Sequence, residues 1–281
     1  MEKYNFRGIE GKSAIVTGGT SGIGYAIAER LADEGCRDIL ISGRNQEKGI
    51  SALNRFKIDH PGVNIHLFIG DLSVEQNCID LMAKGIELFG SVDFLVNNAF
   101  AFTRYAWTAT RDNWLNVMRG GPINYATMIS QYKLQHPEGH KGAIVNVSSI
   151  SAYVAQPRSW TYNCAKGAVD QLTKNAAMDL APDIRVNSIS PAGVFSDEHI
   201  KNNMSRGNTD IESMIDAPCP THLMGRVIRA EECAGPVVFL LSDEASAITA
   251  SNLPVDSGYT AVGAAGFPGP DIGDVWIRST D

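Results

Sequence analysis

The chain has 281 residues, of which 44% are hydrophobic and 20% charged, a composition that can form a full apolar core. Acidic residues outnumber basic residues by 31 to 24, and the resulting net charge of −7 argues against a protein that tracks nucleic-acid phosphates. The sequence shows no apolar run long enough to span a membrane and no signal-like apolar region at its N-terminus. The five cysteines are widely spaced without a C-x-x-C pair, which favours a reducing cytoplasmic location over a disulfide framework or a metal site.

Short β-branched runs alternate with amphipathic segments of helical length along the chain. The first strand is predicted at 13–16 and the first helix at 22–33, where the apolar residues recur on one stripe. Six further strands are predicted at 38–41, 64–69, 93–96, 143–147, 184–189 and 252–255. Continuous apolar strands that alternate with helices are typical of a parallel sheet covered on both faces. We therefore predict a single doubly wound α/β domain with a mostly parallel seven-stranded sheet.

Two stretches depart from this alternation. Residues 195–228 are polar and Met-rich and contain the breaker run Ala217-Pro218-Cys219-Pro220, so this long insertion is predicted to be a lid. Residues 262–281 are rich in Gly and Pro and are predicted to form an extended tail, either disordered or docked on a neighbouring subunit. The folded domain is thus expected to span 1–261.

A glycine-rich turn joins the first strand to the first helix. Glycines allow a tight turn and a close approach of the backbone to a pyrophosphate, and a helix N-terminus supplies free N–H groups. The spacing G-x-x-x-G-x-G differs from both G-x-G-x-x-G and the G-x-x-x-x-G-K phosphate loop. The candidate phosphate-binding residues are Gly18, Thr20, Ser21, Gly22, Ile23 and Gly24.

Tyr162 and Lys166 are four residues apart in a predicted helix and so share one face. A nearby ammonium stabilises phenolate and lowers the pKa of the phenol, which makes Tyr162 a candidate general acid or base near neutral pH. Ser149 follows the fifth strand, where side chains emerge at the carboxyl edge of a parallel sheet. These three residues are the candidate catalytic set.

In this combination the chain resembles the classical short-chain dehydrogenases/reductases over essentially its whole length. The resemblance rests on motifs in family order: Thr17-Gly18-x-x-x-Gly22-x-Gly24, Gly70-Asp71-Leu72, Asn97-Asn98-Ala99, Ser149, Tyr162-x-x-x-Lys166 and Pro191-Ala192-Gly193-Val194. It implies a Rossmann-type fold with a nicotinamide dinucleotide across the carboxyl edge of the sheet. It also implies a homo-oligomer, most often a tetramer, built partly on the helix that begins near Tyr162.

The resemblance further implies a role for each motif residue. Asp71, next to Leu72, would bond the adenine, Asn97 would lie beside the adenosine ribose, and Pro191 to Val194 would line the nicotinamide. Lys166 would also hold the nicotinamide ribose hydroxyls. Ser149 would hydrogen-bond the substrate oxygen, and Tyr162 would pass the proton while a hydride moves to or from the ring.

The residues after the second strand indicate which dinucleotide binds. NAD enzymes usually place a carboxylate there to bond the ribose 2′-hydroxyl, but this chain has Arg44. A guanidinium can make two charge-assisted hydrogen bonds with a phosphate. We therefore predict NADP(H), with Arg44 on the 2′-phosphate and Ser21 or Asn45 assisting.

The chain departs from the family pattern beside the predicted site. Gly121 falls where most members carry an Asn that holds a water of the proton relay, and Gly120-Gly121-Pro122 should kink or break the helix. Three alternatives follow: backbone carbonyls hold the water, Asn124 substitutes if the helix bulges, or catalysis is impaired. Phe100 stands where the family has Gly, which places a ring near the nicotinamide or reroutes the loop.

Aromatic residues in the predicted site loops favour a pocket for an apolar or ring-bearing substrate. They are Phe100, Phe102, Tyr105, Trp107 and Trp160, and the substrate-contact candidates are Phe100, Phe102, Trp160, Gly193 and His199. His136 and His140 are predicted to lie in a solvated loop rather than in a metal site. Cys164 is predicted to be a buried small residue.

Together these residues predict an NADP(H)-dependent oxidoreductase that interconverts a secondary alcohol and a ketone. Two alternatives remain open from the sequence. One is an NAD-dependent dehydrogenase of a cyclic diol, and the other is a catalytically impaired dinucleotide-binding regulatory protein. No nucleic acid, membrane or metal is expected as a partner.

Overall fold

Seven parallel strands form one sheet in the order β3-β2-β1-β4-β5-β6-β7 in a computed structural model that describes residues 8–195 and 219–262. The strands are β1 Ser13–Val16, β2 Asp38–Gly43, β3 Asn64–Ile69, β4 Phe94–Asn97, β5 Gly142–Val147, β6 Ile184–Pro191 and β7 Asn252–Val255. Every strand pair is parallel, so the doubly wound fold and its seven strands are confirmed.

Helices connect these strands. They are α1 Gly22–Asp33, α2 Gln46–Asp59, α3 Glu75–Phe89, α4 Arg111–Met118, α5 Asn124–Leu134, α6 Trp160–Leu180 and α7 Ala230–Leu241. A kinked segment, Arg119–Ile123, joins α4 to α5; Gly121 within it has a non-helical φ of −138° and ψ of −110°, so the kink predicted at Gly120-Gly121-Pro122 is confirmed. The strand ends differ from the predicted ends by one or two residues, because ladder pairing continues past the apolar run, as at Gly43 opposite Ile69.

Two apolar layers cover the sheet, one on each face. Successive strand residues point to opposite faces, so Ala14 and Val16 join one layer while Ile15 joins the other. The first layer packs beneath α1, α2 and α7, and the second beneath α3, α5 and α6. This arrangement explains why β1 is buried along its whole length rather than on alternate residues.

The chain reverses its strand order at β1, which pairs with β2 on one side and with β4 on the other. In open α/β sheets such a switch point leaves a crevice at the carboxyl ends of the strands. The glycine turn after β1, the loop after β4 and Ser149 after β5 all belong to this edge. The fold therefore positions the predicted motifs around one crevice.

Two expectations about side-chain environment were wrong. His136 and His140 stack with ring centroids 3.9 Å apart, and His136 is buried because its Nε2 accepts a hydrogen bond from the Val92 N–H. Cys164 is exposed, because its position on α6 faces away from the sheet. Over the described ranges no group of His, Cys, Asp and Glu could hold a metal ion.

Part of the predicted lid and nearly all of the predicted tail lie outside the described residues, as does His199. The described end of the lid, 219–228, returns to the sheet edge, where Ile228 forms a parallel bridge with Val194. No helix within 8–195 and 219–262 is both long and apolar enough to cross a membrane.

Candidate active site

The turn after β1 has the backbone geometry that its glycines permit. Gly18 and Gly22 have φ values of +65° and +54°, which side chains disfavour. A Cβ on Gly24 would lie 2.3 Å from the Gly18 carbonyl oxygen, so no larger residue fits there. A Cβ on Gly22 would meet no atom within 4 Å, which indicates open space over the start of α1.

Asn98 fixes this turn to the loop after β4, a role that sequence reasoning missed. Its Nδ2 donates to the carbonyl oxygens of Thr17 at 2.9 Å and Gly18 at 3.3 Å. Thr17 Oγ1 in turn accepts from the backbone N–H groups of Asn98 and Ala99. Thr17 and Asn98 each belong to a motif that matches the family pattern, and this was the sequence signal that could have indicated their contact.

Arg44 lies at the end of β2 beside the glycine turn. A Cβ on Gly43 would lie 2.6 Å from Thr20 Oγ1, which shows how closely the two segments approach. The Arg44 side chain is exposed and forms no ion pair with any residue of the described structure. Asn45 instead caps α2, because its Oδ1 accepts from the Lys48 N–H at 2.8 Å. Ser21 is exposed at the N-cap position of α1.

Asp71 and Leu72 follow the end of β3, and Asn97 is the last residue of β4. Asp71 is exposed, and one of its carboxylate oxygens accepts from the Ser73 N–H at 2.9 Å. Leu72 is buried against the sheet. Asn97 is fully buried; its Nδ2 donates to Asn146 at 2.9 Å, while its Oδ1 has no hydrogen-bond partner in the described part of the chain.

Lys166 is buried between α6 and the end of β5. Its Nζ donates to the Val147 carbonyl oxygen at 2.8 Å, and the ammonium lies 5.8 Å from the centre of the Tyr162 ring. Burial lowers the pKa of Lys166 to about 7, a shift that Asp170 partly opposes. The ammonium therefore lies beside the phenol, as the four-residue spacing predicts.

Tyr162 is also buried and lies within a group of rings. Phe100 and Phe102 contact it edge to face, with centroid distances of 5.6 and 4.9 Å. The Arg104 guanidinium stacks over Phe102 at 4.8 Å and over Tyr162 at 5.3 Å. Sequence reasoning missed Arg104, since an arginine in a loop carries no distinctive signal.

Ser149 begins the short helical turn that follows β5. Its Oγ accepts from the Ser151 N–H at 3.2 Å and is 3.1 Å from Ser151 Oγ. Because Val147 holds Lys166, and Ser149 follows two residues later, the end of β5 connects two members of the predicted catalytic set.

The loop after β6 is held by a histidine that the sequence did not indicate. The Gly193 N–H donates to His222 Nε2 at 3.3 Å, and His222 Nδ1 lies 3.0 Å from Cys219 Sγ. Pro191 ends β6, and Val194 is bridged to Ile228. These contacts fix the segment that the resemblance places along a nicotinamide.

The predicted aromatic wall is only partly assembled. Phe100 and Phe102 reach Tyr162, and the backbone N–H of Tyr105 donates to Thr161 Oγ1 at 3.1 Å, which fixes the loop beside them. Trp107 is 77% exposed and Trp160 is 55% exposed, so these two rings have few neighbours among the described residues.

Polar groups in the crevice fit a nicotinamide dinucleotide. The buried Oδ1 of Asn97 has no partner in the described structure, and two N–H groups of Lys166 lack an acceptor there. Open space at Gly22 leaves the first N–H groups of α1 accessible to a pyrophosphate. Asn97, Lys166 and the glycine turn would hold the group.

Comparison with known proteins agrees with this architecture. Residues 18–260 match the family model described as enoyl-(acyl carrier protein) reductase. The chain is 33% identical over 261 residues to the NADP-dependent (R)-specific alcohol dehydrogenase of Lentilactobacillus kefiri, covering 90% of this chain and 98% of that protein. It is 35% identical over 250 residues to human mitochondrial dehydrogenase/reductase SDR family member 2, covering 88% of this chain and 85% of that protein.

A solved structure shows the same fold. L-Sorbose reductase from Gluconobacter frateurii, complexed with NADPH and L-sorbose, superposes with a TM-score of 0.80 at 28% identity, covering 91% of this chain and 99% of that one. The chain belongs to the short-chain dehydrogenase/reductase family. Its relatives are dehydrogenases and reductases, which supports an oxidoreductase activity.

Proposed function

We propose that the protein interconverts a secondary alcohol and a ketone with NADP(H), on an apolar or ring-bearing substrate. The observation that carries this proposal is the position of the buried Lys166 ammonium, 5.8 Å from the Tyr162 ring and bonded to the strand end that precedes Ser149. A phenol, an ammonium and a hydroxyl together can protonate a carbonyl oxygen as it gains negative charge.

Each residue has a distinct part in the proposed reduction. Ser149 donates a hydrogen bond to the substrate oxygen, and Tyr162 transfers its phenolic proton to that oxygen. Lys166 stabilises the phenolate that remains, because an opposite charge nearby favours the ionised form. The nicotinamide, when bound, supplies the hydride. Oxidation of the alcohol uses the same groups in reverse.

The preference for NADP(H) rests on Arg44. The side chain is exposed beside the glycine turn and is not paired with a carboxylate in the described structure, so it is available to a 2′-phosphate. One relative is named as NADP-dependent, and the sorbose reductase was solved with NADPH.

The first test removes the phenolic hydroxyl. Tyr162→Phe should remove nearly all reduction of a ketone panel, followed by loss of NADPH absorbance, while NADPH binding followed by fluorescence stays close to wild type. Tyr132→Phe is the matched control, because that phenol bonds the Asp93 carbonyl at the opposite edge of the sheet. Full turnover by Tyr162→Phe would exclude this residue as the proton donor.

The second test concerns the cofactor. Arg44→Ala should weaken NADPH binding roughly tenfold or more, the value of one charge-assisted contact, and should leave NADH binding unchanged. Arg55→Ala is the control, since Arg55 is an exposed arginine that pairs with Glu29 instead. Equal use of NADPH and NADH by the wild type would refute the NADP(H) proposal.

A further inference from the structure

The Phe100 ring and the kinked segment between α4 and α5 fit each other closely. A Cβ on Gly121 would lie 2.6 Å from Cε2 and Cζ of Phe100, so a side chain at position 121 would displace the ring. Gly120 and Ala101 are in equally close contact, because a Cβ on Gly120 would lie 2.4 Å from the Ala101 Cβ. The Ala101 N–H also donates to the Gly120 carbonyl oxygen at 2.7 Å. The two glycines therefore make room for the loop after β4.

Within this space the ring lies against the lysine. The distance from Lys166 Nζ to the centre of the Phe100 ring is 3.7 Å, well within the range of a cation–π contact. The same ring is edge to face with Tyr162 at 5.6 Å and with Tyr125 at 6.1 Å. Three aromatic side chains thus surround the ammonium, and Phe100 is the nearest of them.

We propose that Phe100 is a positioning residue for Lys166: its ring holds the ammonium by a cation–π contact and fills the space beside Gly121 that water would otherwise occupy. The inference rests on the proposed role of Lys166. The proposal also explains why Gly120, Gly121 and Phe100 occur together: the loop that carries the ring occupies the space that the two glycines leave free.

Asn124 does not take the place beside the ammonium. Its Nδ2 donates to the Ala99 carbonyl oxygen at 3.3 Å, so the amide supports the loop that carries Phe100. The charged and ionisable groups around the ammonium and its phenol are Tyr162 and Asp170 on α6, Tyr125 on α5, and Arg104 on the loop. None of these is altered in the variants below.

The test is to titrate the Lys166 ammonium by NMR of protein labelled at lysine carbons, with the signal assigned from Lys166→Met. Phe100→Leu retains an apolar side chain but removes the π face, so the pKa of Lys166 should fall by roughly half to one and a half pH units. Phe100→Gly admits water and should raise the pKa. Phe102→Leu is the control, because that ring contacts Tyr162 and not the ammonium.

Opposite shifts in the two Phe100 variants, with no shift in Phe102→Leu, would support the proposal. An unchanged titration in Phe100→Leu, or an equal shift in Phe102→Leu, would overturn it. If Phe100→Gly fails to fold, Phe100→Ala replaces it: this variant also removes the ring and opens the space beside the ammonium, and an unchanged titration would again overturn the proposal. The midpoint of the pH–rate profile should follow the Lys166 pKa.

Failure of the proposed function has a different signature. A wild type that reduces no ketone of the panel, yet shows the opposite shifts of Lys166, would refute the activity and retain the role of Phe100. A fully active wild type, combined with a Lys166 titration that does not change in the Phe100 variants, would support the activity and refute the role of Phe100.

Discussion

Lys166 shows how strongly one residue can couple function to stability. Burial lowers its pKa from 10.5 in the unfolded chain to about 7 in the fold. Between these values the unfolded state binds more protons than the folded state, so the free energy of unfolding rises with pH. Below the folded pKa the protein carries the full cost of a buried ammonium, which is the condition that favours the ionised phenol.

We expect Lys166→Met to abolish turnover and to raise the unfolding temperature at pH values below 7. The gain should shrink as the pH rises from about 7 toward 10.5, by at most about 1.4 kcal/mol per pH unit. Thermal unfolding followed by circular dichroism measures this difference. Lys57→Met, at an exposed position of α2, is the control; a pH-independent gain at position 166 would contradict the buried-charge explanation.

The turn after β1 and the loop after β4 behave as one element. Asn98 joins them by hydrogen bonds to Thr17 and Gly18, and the glycines allow the approach. We expect the strand ends to position a pyrophosphate only while this connection holds.

Asn98→Ala should therefore weaken cofactor binding as well as stability. Loss of the side-chain bonds leaves buried carbonyl groups without a donor and should cost about 1–3 kcal/mol of unfolding free energy. NADPH affinity, measured by fluorescence, should fall in parallel. Asn64→Ala is the control, because Asn64 makes a side-chain bond to Asp38 at the opposite edge of the sheet. Equal NADPH affinity in the two variants would contradict the connection.

The sequence predicts the strands, the glycine turn and the spacing of Tyr162 and Lys166, because each depends on residues close together in the chain. The kink at Gly120-Gly121-Pro122 is predicted from the sequence, but the contact of Phe100 with Gly121 is not, since it depends on how the kink places this segment against the loop after β4. The role of His222 was not predicted either, because its hydrogen bond to Gly193 joins residues that are 29 positions apart in the sequence. The exposure of Cys164 depends on the orientation of α6, which periodicity fixes only approximately.

At the scale of the molecule, α6 presents a stripe with exposed apolar members. Trp160 and Met178 are 55% and 81% exposed, and Cys164, Gln171 and Lys174 lie between them on the same face. We propose that this stripe pairs with a second copy of the chain in a homodimer or homotetramer.

Cys164→Arg should shift the assembly toward monomers, because a buried and unpaired charge would be costly at the centre of the pairing face. Size-exclusion chromatography with light scattering measures the mass. Ile50→Arg, which adds the same charge at a 45% exposed position of α2, is the control. A wild type that is already monomeric at micromolar concentration would refute the proposal.

The fit between Gly120, Gly121 and the loop residues Phe100 and Ala101 has a consequence for engineering the protein. Bulk cannot be added on one side of this contact without removing it from the other, so single-site libraries at the glycines should return almost only the parent residue. Libraries that vary position 100 together with 121, and 101 together with 120, should recover folded variants. Volume that a smaller residue at position 100 leaves unfilled would open beside the lysine, which the Phe100 ring contacts.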